Sequence, residues 1–172
     1  MEAVSEFLIS TGFWSVVNDH DWVWPVCEMF HFFGMAILIG TVGILDLRIL
    51  GVGKGLPIAK LEALVPLGIA GFVVNALTGA VFIAGNPSGG PIAYLGNLAF
   101  QLKMLLVLLA GINLVAFYFT GISREAEALG PMDDAAVNAK IVAAASILLW
   151  IGVIIFGRLI MYNDTLLLFL GM

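Results

Sequence analysis

The chain has 172 residues, 62% of them hydrophobic and 11% charged, with a mean hydropathy of +1.10 and a net charge of −5. Soluble domains carry about 25% charged residues, so this chain has too few charges to cover a water-facing surface and is expected to lie in a lipid bilayer. No basic stripe is present, which argues against nucleic-acid binding, and the single cysteine, Cys27, excludes an internal disulfide or a zinc-ribbon spacing.

The opening segment, "MEAVSEFLISTGFWSVVNDHDW", has acids, no Lys or Arg and no clear cleavage site, which argues against a cleaved signal peptide. Residues 3–17 read as a short helix at the membrane interface, with Phe7, Leu8, Phe13 and Trp14 as apolar anchors. A helical span needs about 20 mostly apolar residues. Four stretches qualify, at about 24–46, 64–84, 98–120 and 139–161. The segments between them, "LGVGKGLP", "GNPSGGP" and "GISREAEALGPMDD", carry loop punctuation. Pro66 falls in a first turn, where its missing N–H costs least. The final "TLLLFLGM" is too short to span. The expected fold is an all-α integral membrane protein, one domain over residues 1–172, built as a four-helix transmembrane bundle with a short N-terminal interfacial helix.

Arg48, Lys54 and Lys60 flank the first loop and Arg124 and Lys140 the third, whereas the N-terminal segment and second loop have no basic residue. This asymmetry predicts both termini on the non-cytoplasmic side. At about 1.5 Å per residue, His31 then lies about 10 Å below the outer boundary, Lys103 about 9 Å and Arg158 about 6 Å. Asn75 and Thr78 fall in the outer half of the second span. Every span therefore sends a polar or ionisable group into the same half of the bundle.

Helical phase puts Trp24, Cys27, Glu28, His31, Gly34 and Met35 on one face of the first span. Gly71, Asn75, Thr78 and Gly79 share a face of the second, and Phe100, Lys103, Val107 and Ala110 one of the third. Gly34, Gly71, Gly79 and Ala110 leave room for a flat ligand, or for close helix packing. Arg158 and Lys103 are near enough to the boundary to snorkel, and Glu28 has a structural alternative as an ion-pair partner for either. His31 is too short to snorkel; it is a ligand or a hydrogen-bonded interior histidine. His20 reads as a solvated loop residue, Cys27, Met29, Met35 and Met104 as packing, and Asp46 with Arg48 as a boundary anchor.

A first-span histidine followed by a third-span "LKMLLVLLAGIN" resembles the four-helix membrane protoporphyrinogen oxidases of bacteria and the related copper-resistance-D-like proteins, as an uncharacterised sister family would. The resemblance covers residues 22–162 and extends to the "DLRILG" ending of the first span. It implies a bacterial inner membrane location and haem b bound through His31 and Lys103, the positions matching the oxidases' histidine and lysine. The chain departs from that pattern at its N-terminal extension, at "WPVCEMFHFFG" and at "GRLIMY", so porphyrin oxidation is not carried across.

Neutral imidazole is a good axial ligand for haem iron. Arg158 would suit the propionates, and Glu28 would tune or orient the site. A haem b protein with an electron-transfer or oxidoreductase role, in partnership with the bilayer, a quinone, a redox protein or a second copy of the chain, is thus the leading expectation. Two others stand beside it: a copper-binding or copper-transport protein using His31, Cys27 and methionines, soft ligands for Cu(I), and a structural or assembly subunit.

Overall fold

A computed structural model describes residues 2–171. It contains four helical runs long and apolar enough to cross a membrane, and the protein is an all-α, four-helix transmembrane bundle. In chain order the helices are α1 (Glu2–Ser10), α2 (Phe13–Asn18), α3 (Val23–Ile49), α4 (Ile58–Glu62), α5 (Val65–Ala84), α6 (Gly90–Leu95), α7 (Leu98–Phe119), α8 (Ile122–Glu127), α9 (Val137–Leu159) and α10 (Asn163–Leu170). The spans are α3, α4 with α5, α7, and α9 continued into α10.

Two elements differ from the sequence expectation. The expected interfacial helix over 3–17 is two helices, because Gly12 takes a left-handed φ of 72° that ends the regular run. The pair is seated on the second loop. Trp14 Nε1 donates to the Asn86 carbonyl at 3.1 Å, Asn18 Nδ2 donates to that of Gly85 at 3.0 Å, and Val17 is buried against Gly85. The α9 helix of the last span ends at Leu159, as expected, but the segment after it is also helical, since neither Gly nor Pro lies between Arg158 and Leu170. Only a 3₁₀ turn over Ile160–Tyr162 separates α9 from α10. Asn163, at that turn, accepts from the Leu98 N–H at 3.0 Å, while Asn97 caps α7 through the Phe100 N–H and donates to the Ile160 carbonyl.

The spans pack as two antiparallel pairs, α3 with α5 and α7 with α9, joined by contact between α3 and α9. The α3–α5 seam is built from small residues. A Cβ on Gly34 would stand 2.8 Å from the Gly71 carbonyl oxygen, and one on Gly71 would stand 2.7 Å from that of Gly34. Thr41 fills the space beside Gly68. Between helices already in lipid, such close backbone approach supplies the van der Waals packing that apolar burial cannot. In the α7–α9 pair, Leu106 packs on Gly152 and Asn113 Nδ2 donates to the Val142 carbonyl at 3.1 Å.

One end of the bundle is closed by a hydrophobic cluster of Leu45, Ile49, Ile58, Leu61, Phe117, Ile122 and the alanines of α8 and α9. Arg48 sits beneath it, 1% exposed. The expected boundary anchor of Asp46 with Arg48 takes a different form. Arg48 donates to the carbonyls of Leu56 (2.8 Å), Gly130 (3.2 Å) and Asp133 (3.4 Å), tying the first and third loops together, and Asp46 turns instead toward Ser146. Lys54 and Lys140 both pair with Asp134, at 2.8 and 3.2 Å, and the Met132 N–H donates to the Lys54 carbonyl. This basic end is a single interlocked platform. The opposite, terminal half carries His31, Asn75, Thr78, Lys103 and Arg158.

Candidate functional site

His31 is held by α3 with its ring turned onto α5. Its Nδ1 lies 2.7 Å from Thr78 Oγ1. That hydroxyl is also 2.8 Å from the Val74 carbonyl and 3.2 Å from the Asn75 carbonyl. A hydroxyl has one proton to give, and here two backbone carbonyls compete for it, so the hydroxyl accepts from Nδ1–H. The tautomer assigned by this network leaves the Nε2 lone pair free. The ring is packed 5.2 Å from the Phe82 ring, which in turn lies 5.0 Å from the Trp24 ring. Gly79 keeps that wall open: a Cβ there would meet His31 Cε1 at 4.0 Å.

Lys103 stands on the other helix pair. Its aliphatic stem and Nζ run along Gly157 of α9, where a Cβ would stand 3.6 Å from Nζ. Among the described residues no carboxylate lies within ion-pair distance of it. Helix α7 packs on α9 and not on α3. The two side chains therefore stand on different helix pairs, His31 on α3 and Lys103 on α7. A ligand held by both would bridge the pairs, not slip between two packed helices.

Glu28 also lies on α3, exposed, and accepts from Trp24 Nε1 at 3.0 Å. The alternative ion pair with Lys103 or Arg158 is not formed, because the Trp24 indole one turn earlier on the same face takes the carboxylate. In the second loop, Tyr94 of α6 packs edge-on against Phe100 at 5.7 Å. Burial, and then the nearby Glu28 carboxylate, push the Tyr94 phenol above its ordinary range.

The remaining predicted residues have other surroundings. The room beside Gly34 is filled by α5, whose Gly71 carbonyl and Asn75 amide press against it, so helix packing and not a ligand occupies it. Asn75 Nδ2 donates back to the Gly71 carbonyl at 3.2 Å and serves the same seam. Arg158 is exposed, its guanidinium 5.6 Å from the Tyr162 ring centre, a cation–π contact at the terminal rim. The structure thus brings His31 and Thr78 into contact, keeps Lys103 on the other helix pair, and leaves Arg158 at the edge.

Sequence reading missed Phe82, Tyr94 and Gly157. Gly157 carries a usable signal, since a glycine next to Arg158 on a lipid-spanning helix marks a place where a long side chain crosses. Phe82 and Tyr94 carry none, being ordinary aromatics near a boundary.

The fold and site define a four-span membrane protein whose terminal half carries a histidine hydrogen-bonded to Thr78 on one helix pair and a lysine without a carboxylate partner among the described residues on the other. No protein-family model, no characterised protein and no solved structure matches the chain.

Proposed function

We propose that this protein binds haem b between its helix pairs, through His31 and Lys103, and serves as a redox or electron-transfer protein of the bacterial inner membrane. The observation carrying this reading is the His31–Thr78 hydrogen bond at 2.7 Å. Metal-ligating histidines characteristically give their second ring N–H to a fixed acceptor, which sets the tautomer and raises the basicity of the ligating nitrogen. Thr78 does this for His31 and leaves Nε2 directed away from the seam.

The donor set fits the group. His31 Nε2 would hold the iron, and Lys103 Nζ, free of any carboxylate, would serve as second ligand or as counter-charge to a propionate. Arg158 at the rim suits the other propionate, where it needs only to leave Tyr162. Bound there, haem would supply one-electron chemistry. The chain's own contribution is to orient the imidazole through Thr78, to wall it with Phe82 and Trp24, and to keep both helix pairs apart. The resemblance to the membrane protoporphyrinogen oxidases supports the same two residues. A quinone or redox protein would exchange electrons at the non-cytoplasmic side, the orientation that the basic-residue asymmetry supports for this end.

The visible spectrum and metal content of the purified protein test the proposal. A Soret band with stoichiometric iron is expected. Bound copper without that band would replace it with the copper reading, and neither would leave a structural subunit. Reporter fusions in residues 51–57 and 128–136 should report the cytoplasm; a cytoplasmic second loop would reverse the orientation.

A further inference from the structure

A second ionisable site lies away from His31 and Lys103, at the seam where the helix pairs meet. Asp46 of α3 is 7% exposed, and its Oδ2 is sealed from solvent with no hydrogen-bond partner. The polar group facing its carboxyl is the hydroxyl of Ser146 on α9, itself 7% exposed. A carboxylate stripped of water is costly unless it is paired, and the neighbouring cations are spent elsewhere. Arg48 gives its guanidinium to three loop carbonyls. Lys140 of α9 is paired with Asp134, and Arg158 lies at the far end of that helix. On α4, Lys60 is exposed and the Glu62 carboxyl faces Glu127 of α8. Helix α5 carries no titratable residue.

We infer that the buried Asp46 carboxyl, with an oxygen that has no hydrogen-bond partner, is a proton-binding site at the α3–α9 seam. A neutral carboxylic acid is both donor and acceptor, and a hydroxyl complements either role, so the protonated form satisfies the seam without a counter-ion. Loss of the proton leaves a bare charge between packed helices, which only water or a cation entering the seam would relieve. Proton occupancy and α3–α9 packing are therefore linked. This inference is independent of what His31 binds.

Infrared difference spectroscopy of the full-length protein in lipid nanodiscs tests it directly. At neutral pH the wild type should show a carboxylic-acid C=O stretch that shifts down in D₂O. Glu62→Gln, which removes the other carboxyl with a sealed, unpartnered oxygen, leaves a band; adding Asp46→Asn, a neutral isostere that should fold as well, removes it, and Ser146→Ala moves it to higher frequency. Dicyclohexylcarbodiimide gives a second readout that needs no variant. The acid O–H adds across one N=C bond of the reagent, and acyl migration to nitrogen yields a stable N-acylurea with no atom lost. One reagent mass should therefore appear on the peptide containing Asp46. Absence of an acid band in Glu62→Gln, or its persistence once Asp46→Asn is added, would overturn the inference.

Discussion

His31 Nδ1 and Thr78 Oγ1 meet at 2.7 Å across the α3–α5 seam, and the carbonyls of Val74 and Asn75 claim the hydroxyl proton. This network assigns the imidazole the Nδ1–H tautomer and leaves Nε2 as the free nitrogen. Thr78→Val keeps the volume but removes the acceptor. Losing a hydrogen-bond partner behind a metal ligand lowers affinity about 10–100-fold. Haem titration should show a loss of that size in Thr78→Val and recovery in Thr78→Ser; unchanged affinity would mean Thr78 does not orient the ring.

The glycines of α3 are not equivalent. Gly34→Ala forces a methyl to within 2.8 Å of the Gly71 carbonyl, whereas a methyl at Gly40 meets nothing within 4 Å. Overpacking of this kind costs about 1–3 kcal/mol. Thermal unfolding in detergent should show a clear loss for Gly34→Ala and little change for Gly40→Ala.

Arg48 holds two loops through backbone carbonyls that have no other side chain to replace it. Arg48→Met should cost at least about 1.5–3 kcal/mol, the worth of one charged hydrogen bond. Limited proteolysis should then cut residues 51–57 and 128–136 faster than in wild type, while the spans stay protected.

Asp134 adds a pH dependence to the same platform. Lys54 and then Lys140 hold its carboxyl below the usual carboxylate range. A carboxylate whose folded-state value is depressed stabilises the fold above its unfolded value, near pH 4, and loses that contribution as pH falls through the depressed one. Proteolytic protection of the two loops should therefore fade on acidification below about pH 4 and with added salt, since the carboxylate is solvent-exposed. Asp134→Asn should remove both dependences.

The spans were legible in the sequence because lipid demands long apolar runs, and the depth of His31, Thr78 and Lys103 followed from counting residues along them. Partner choice was not legible. A glycine on a polar face signals a ligand gap and a helix crossing equally, and at Gly34 the crossing fills the space. Glu28 had two candidate ion-pair partners by depth, Lys103 and Arg158, yet the Trp24 indole takes it because it sits one turn away on the same face. Arg48 read as a boundary charge; its burial depends on two distant loops folding back to meet it, which no local pattern encodes.

The most direct test of the central proposal is the visible spectrum of purified His31→Ala beside wild type and Lys103→Ala. A haem site ligated by His31 Nε2 requires that His31→Ala lose the Soret band. Lys103→Ala should keep haem and convert a six-coordinate low-spin spectrum to a five-coordinate one. A His31→Ala protein that retains stoichiometric haem with the wild-type spectrum would contradict the assignment and return His31 to a hydrogen-bonded partner of Thr78 alone.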